Sequence, residues 1–202
     1  MLIDFEGIDG SGTETWSKFT AKYIREHGGK AVIYRFPDYT SPWGKIIRSF
    51  LDNQLELDTD IQFLTYSTYI LKYADNIRRD LNDKIVITDR YILSTMAYQC
   101  SKGFPVEKAL SFYSLFDFPK PDYVILLLTS SEVSRSRKLS ENGALDRHER
   151  DISLLENVSD NYIRFSREKY ICDKWLLVDT SGEIESTRKV VENFINLILS
   201  DD

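Results

Sequence analysis

The 202-residue sequence is poor in the residues that hold metals or build covalent frameworks: it has two cysteines, Cys100 and Cys172, and two histidines, His27 and His148. Cysteines so far apart form neither a disulfide framework nor a zinc set, and the isolated histidines supply no ligand pair. No apolar run reaches membrane-spanning length and no signal peptide opens the chain, so the expectation is a soluble, cytoplasmic protein without a membrane partner. An excess of positive charge is also missing. With 26 basic against 32 acidic side chains the net charge is −6 and the pI about 5.1, which excludes non-specific binding to polymeric nucleic acid or to a membrane surface, both of which favour a basic face. A small nucleotide remains compatible, because it needs only a local cluster of arginines. Internal repeats, low-complexity tracts and linkers are absent, and the length fits a single domain over residues 1–202.

Strand-like runs alternate with helical segments. The runs cover residues 1–6, Ala31 to Phe36, Lys84 to Thr88, Asp122 to Leu128 and Lys174 to Asp179. Two of them, Ile85-Val86-Ile87 and Val124 to Leu128, are continuously apolar, as parallel strands covered on both faces are. The pattern predicts an α/β, three-layer fold with a five-stranded parallel sheet and helices on both faces. Apolar Trp16, Phe19, Tyr23 and Ile24 lie at helical spacing before Gly28-Gly29. Asp58 is placed to cap a long helix reaching about Leu81, and Ser130 or Ser131 another.

Between the first strand and the first helix stand Gly7, Ile8, Asp9, Gly10, Ser11, Gly12, Thr13, Glu14 and Thr15. The glycines have the spacing of a phosphate-binding P-loop, whose backbone N–H groups wrap phosphate oxygens at a helix N-terminus. The P-loop lysine is replaced by Thr13, and Glu14 stands where a magnesium-binding hydroxyl is usual. Glu14 is tolerable there if it binds magnesium or faces solvent. Ligands in such sheets sit beyond the carboxyl ends of the strands, and Phe36-Pro37-Asp38-Tyr39 and Asp89-Arg90-Tyr91 fall there as well. Asp89 can hold magnesium through water and Arg90 can bind phosphate bidentately; the same pair also reads as an ion pair closing a strand. Arg48 is a second phosphate clamp or a solvated helix arginine, and Tyr39 and Tyr98 line a nucleoside pocket or the core. Residues 135–150 carry five basic side chains, Arg135, Arg137, Lys138, Arg147 and Arg150, around Gly143. That composition describes either a lid closing on polyphosphate or a solvated charged turn.

The chain resembles thymidylate kinase, in the P-loop nucleoside monophosphate kinase group. The resemblance rests on Phe5-Glu6-Gly7-Ile8-Asp9-Gly10-Ser11-Gly12; Phe36-Pro37-Asp38-Tyr39 followed by Pro42, Gly44, Lys45, Ile47 and Arg48; Asp89-Arg90-Tyr91 followed by Ser94, Ala97, Tyr98 and Gln99; Lys120-Pro121-Asp122; and Asp146-Arg147 with Glu149. It implies the P-loop NTPase form of the α/β fold, magnesium-dependent transfer of a phosphoryl group from ATP to dTMP, and a homodimer packed through helices. By position it implies that Asp9 approaches the sugar 3′-hydroxyl and the acceptor phosphate, with Arg48 and Arg90 as phosphate ligands and Asp89 at the magnesium site. It further implies that Tyr98 crowds the ribose 2′ position, that Thr95 and Gln99 approach the base, that Arg147 and Arg150 belong to the lid, and that adenine lies along Asp179-Thr180-Ser181.

Three departures stand out. The loop has Thr13 for lysine. A gapless count places Tyr69 where the base-reading arginine belongs and Thr65 at the stacking phenylalanine, with Phe63 or Tyr66 able to stack if the helix is shifted. Neither residues 8–11 nor the stretch between Lys138 and Asp146 contains the arginine that usually compensates γ-phosphate charge. Arg147, Arg150, Arg137 and Lys18 are the candidate replacements. Two alternatives follow: a kinase with an altered acceptor such as dUMP, and a nucleotide-binding pseudokinase.

Overall fold

The computed structural model describes residues 1–200. In chain order the elements are β1 (Leu2–Gly7), α1 (Thr13–Glu26), β2 (Ala31–Arg35), α2 (Pro42–Leu51), α3 (Thr59–Leu71), α4 (Ala74–Asp80), β3 (Ile85–Asp89), α5 (Ile92–Cys100), α6 (Val106–Leu115), β4 (Tyr123–Leu128), α7 (Ser131–Asn142), α8 (Arg147–Arg150), α9 (Ile152–Glu168), β5 (Trp175–Asp179) and α10 (Ile184–Ser200). All five strands are parallel, in the order β2-β3-β1-β4-β5. The strands lie within a residue or so of the runs expected from the sequence, and the sheet is the expected α/β one.

Alternate strand residues face opposite layers. Leu2, Val86, Val124 and Leu126 pack with residues of α2 to α6 and α9. Ile3, Phe5, Ile87, Ile125 and Leu127 pack with α1 and α10. Burial on both faces is why these strands read as continuous apolar runs. Buried polar residues break the apolar pattern at Asp4, Glu6, Thr88 and Asp89: Asp4 accepts a hydrogen bond from the Thr88 hydroxyl at 2.7 Å, and burial raises its pKa well above the ordinary carboxylate range.

Asp58 caps α3 as expected, accepting from the Ile61 N–H at 3.0 Å, and Ser130 rather than Ser131 caps α7. The expected long helix to Leu81 is instead two helices. At Tyr73 the amide bonds back to the Ile70 carbonyl, and the ring inserts beside Tyr34, Phe36 and Tyr69. Tertiary packing turns the chain there without a glycine or proline, so no local sequence signal marks the break. The sheet order puts β1 in the centre with β3 and β4 on either side, and Phe5 is in register with Asp89. The chain reverses its winding direction at this point, which opens a crevice beyond the carboxyl ends of β1 and β3.

Candidate active site

The loop after β1 makes a tight turn, with the Ser11 N–H donating to the Ile8 carbonyl at 3.1 Å. Gly10 has φ +77°, and a Cβ there would lie 2.6 Å from the Ser134 carbonyl oxygen of α7, so only glycine fits under that helix. Gly12 is the N-cap of α1 and carries no side chain to occupy the helix's first N–H groups. Those donors, with the positive end of the helix dipole, face the crevice and suit an anion. Thr180 is buried behind the loop, donating to the Ser11 carbonyl at 3.0 Å and to the Leu128 carbonyl. Thr13 opens α1 and lines the cleft together with Asp89.

Asp9 is the centre of the crevice. Arg90 donates to one of its oxygens at 2.8 Å and the Tyr98 hydroxyl to the other at 2.8 Å. Burial opposes ionisation, yet the Arg90 guanidinium and the Tyr98 hydroxyl hold the Asp9 pKa below the usual value. Arg90 has the left-handed φ of 67°, an uncommon state for a bulky residue, and its guanidinium also donates to the Gly7 carbonyl at 2.7 Å. Beneath it, Glu6 accepts from the Tyr91 and Ser94 N–H groups at 2.9 and 3.0 Å and from the Tyr162 hydroxyl at 2.7 Å. This buried carboxylate fastens the start of α5 to β1, which fixes the Arg90 backbone against the loop.

These groups open onto a cleft of about 540 Å³, lined among others by Gly10, Gly12, Thr13, Glu14 and Thr15, by Phe36, Pro37, Tyr39 and Arg48, and by Asp89, Thr95, Tyr98 and Gln99. The Phe36–Pro37 peptide is cis. Arg48 pairs with Asp52, the C-cap of α2, at 2.7 Å and lies 5.6 Å from the Tyr39 ring centre. Asp89 is buried, which raises its pKa, with the neighbouring Arg90 charge opposing. Tyr69 lines the cleft with its ring, but its hydroxyl accepts from the Asp38 N–H at 2.8 Å, and burial raises its pKa to about 12. It therefore supports the 36–41 loop instead of presenting a polar group to a base. Gln99 is buried on the cleft wall, and its Oε1 has no partner among the described residues.

Several sequence-predicted residues stand elsewhere. Ile8 is in the core, and Gly7, Ser11 and Thr180 support the loop from behind without lining the cleft. Arg147 and Arg150 do not line it either. Helix α8 is a single turn whose capping box turns Asp146 and Glu149 inward, so the arginines leave on the other side: Arg147 grips Glu56 and donates to Asn53 at 2.7 Å, and Arg150 bonds the Leu145 carbonyl. Arg137 donates to the Gly10 and Thr180 carbonyls at 3.2 and 2.6 Å, and Lys18 is tied to Glu14 at 2.7 Å.

Of the other cleft residues, Tyr66 reads in the sequence as a stacking candidate and Lys138 as one of the basic residues of the lid segment, whereas Arg35 and His148 carry no assigned role there. Arg35 bridges Glu14 at 2.7 Å and Asp89 at 3.4 Å. Lys138 and Tyr66 line the cleft. His148 stacks on Tyr98 with ring centres 5.1 Å apart. The Lys102 ammonium stands 2.8 Å from His148 Nε2, which requires a lone pair there and a neutral ring. For Arg35 the available signal was its position at the end of a strand beside the Asp89 strand; for His148 there was none.

A family model described as "Thymidylate kinase" matches residues 5–191. Among curated proteins, a probable thymidylate kinase of Caldivirga maquilingensis is 33% identical over 203 residues, covering 99% of this chain and 92% of its own length. A probable thymidylate kinase of Methanocaldococcus jannaschii is 31% identical, covering 98% and 94%. The thymidylate kinase of Caenorhabditis elegans is 29% identical, covering 95% and 88%.

Proposed function

The chain belongs to the thymidylate kinase family, and from that premise we propose how its cleft carries out the family reaction, transfer of the terminal phosphoryl group of ATP to dTMP to give dTDP and ADP. The observation that carries the reading is the Asp9–Arg90–Tyr98 cluster set opposite the uncapped start of α1. One side of the crevice offers backbone N–H groups to the donor phosphates. The other offers Arg90 and Arg48 to the acceptor phosphate, each now held by a carboxylate that a phosphate replaces. Phosphoryl transfer is catalysed mainly by positioning and charge stabilisation, and this arrangement sets the two anions end to end.

The base enters between Phe36 and the Tyr66 side of the cleft. The unpartnered Gln99 Oε1 accepts an N–H from it, with Thr95 beside, and Tyr98 closes the ribose side while Asp9 accepts from the 3′-hydroxyl. Adenine lies along the loop containing Thr180. Asp89 and Glu14 suit magnesium, which binds one or two carboxylates and otherwise water and phosphate oxygens: both already converge on one positive centre, Arg35. When bound, the ion neutralises charge on the phosphate oxygens.

Residues 135–150 act as a lid over the donor side of a single domain. Ile61 and Leu64 of α3 are large, apolar and exposed, which supports a homodimer through this helix face. No helix among the described residues is long and apolar enough to cross a membrane, in keeping with a cytoplasmic setting.

The test is direct. Purified protein with ATP, magnesium and dTMP forms dTDP and ADP in equal amounts. Failure to form a diphosphate from any deoxynucleoside monophosphate overturns the reading.

A further inference from the structure

The cleft needs a cation at the donor phosphates, and Thr13 does not supply one. Its lining cations among the described residues are Lys18, Arg35, Arg48, Arg90 and Lys138. Arg48 and Arg90 face the acceptor end. Lys18 is held by Glu14, and Arg35 by Glu14 and Asp89 together.

Lys138 differs in its setting. Helix α7 is clamped directly onto the P-loop: the Ser134 hydroxyl donates to the Asp9 carbonyl, and Arg137 donates to the Gly10 carbonyl. Lys138 lies one turn beyond Ser134 and next to Arg137, on the face that meets the loop. Lys138 lines the cleft together with Asp9 at the acceptor end and Glu14 at the donor end. Its ion-pair partner, Glu141, lies on the same helix at 3.1 Å with a side chain 58% exposed. An exposed pair of this kind holds its members weakly, and a triphosphate carries far more charge than Glu141.

We propose that Lys138, carried by the helix packed over the P-loop, is the cation that meets the terminal phosphates of ATP in place of the loop lysine. Bound triphosphate draws its ammonium from Glu141 to the γ-phosphate oxygens, where it stabilises charge on the transferring group. The inference rests on the phosphoryl-transfer reading above.

Two readouts test it. Lys138→Met lowers kcat by about 100- to 1,000-fold, the usual loss for one group of this kind, with the KM for dTMP unchanged. By calorimetry, in the presence of magnesium, it weakens binding of a non-hydrolysable ATP analogue about tenfold or more while binding of ADP and dTMP holds. Lys138→Arg keeps most of both properties, and Thr13→Lys combined with Lys138→Met restores them. Natural values of kcat and analogue affinity in Lys138→Met overturn the proposal. So do equal losses in the Met and Arg variants, which mark Lys138 as a structural residue. If the natural chain turns over no acceptor, the kinase reading fails, and the analogue-binding comparison still decides whether Lys138 meets the terminal phosphate.

Discussion

Asp9 owes its ionised state to two neighbours acting against burial, Arg90 on one oxygen and Tyr98 on the other. Removing the phenol hydroxyl takes away one stabilising bond, so the Asp9 pKa rises. A carboxylate whose pKa is depressed in the fold is protonated only at low pH, and raising that pKa moves the loss of activity upward. Tyr98→Phe therefore shifts the acidic limb of the kcat/KM profile to higher pH, by roughly one to two units for a charge-assisted bond; an unmoved limb contradicts the assigned contact. The positions of such residues were legible in the sequence: glycine spacing marked the loop, and a charged pair directly after an apolar strand marked Asp89 and Arg90. Their partners were not. Arg147 is a basic residue in a lid-like segment, but it ends on Glu56, a contact across 91 residues that no local pattern reveals. Tyr69 shows the same limit, since its hydroxyl meets a backbone amide of a distant loop.

Helix α8 depends on a buried histidine at the scale of the element. His148 packs on Tyr98 and Phe50, and burial together with the Lys102 charge pushes its pKa down to about 3. Arg147 and Arg90 also oppose its protonation, and Asp9 favours it. In the unfolded chain the ring titrates near about 6.5. Because the folded pKa is depressed, the unfolded state takes up the proton first as pH falls: the stability is complete above about pH 6.5 and is lost progressively toward about pH 3. His148→Gln keeps an acceptor for Lys102 and removes this titration. Its Tm falls less steeply than that of the natural chain across this window, reflecting a stability contribution on the order of a few kcal/mol; parallel Tm curves contradict the buried neutral ring. The starts of elements with strong periodicity or a capping residue, such as α1, α3 and α7, were legible within a residue or two. The break between α3 and α4 was not, because the ring packing of Tyr73 imposes it.

For the whole molecule, the two apolar layers close on either face of the sheet, but the outer face of α3 keeps Ile61 and Leu64 exposed. If that face joins two copies, replacing both with aspartate puts like charges into an apolar contact and gives a monomer by light scattering at concentrations where the natural chain is dimeric. An unchanged mass for the double variant contradicts this interface.

As proposed, the natural cleft is a complete phosphoryl-transfer site without a P-loop lysine. The deciding experiment compares the rate of dTDP formation from ATP, magnesium and dTMP by the natural chain and by Thr13→Lys, side by side. The natural chain turns over, and the added lysine changes the rate by less than about tenfold, since the charge it brings is already supplied. A natural chain that is idle until lysine is installed contradicts it.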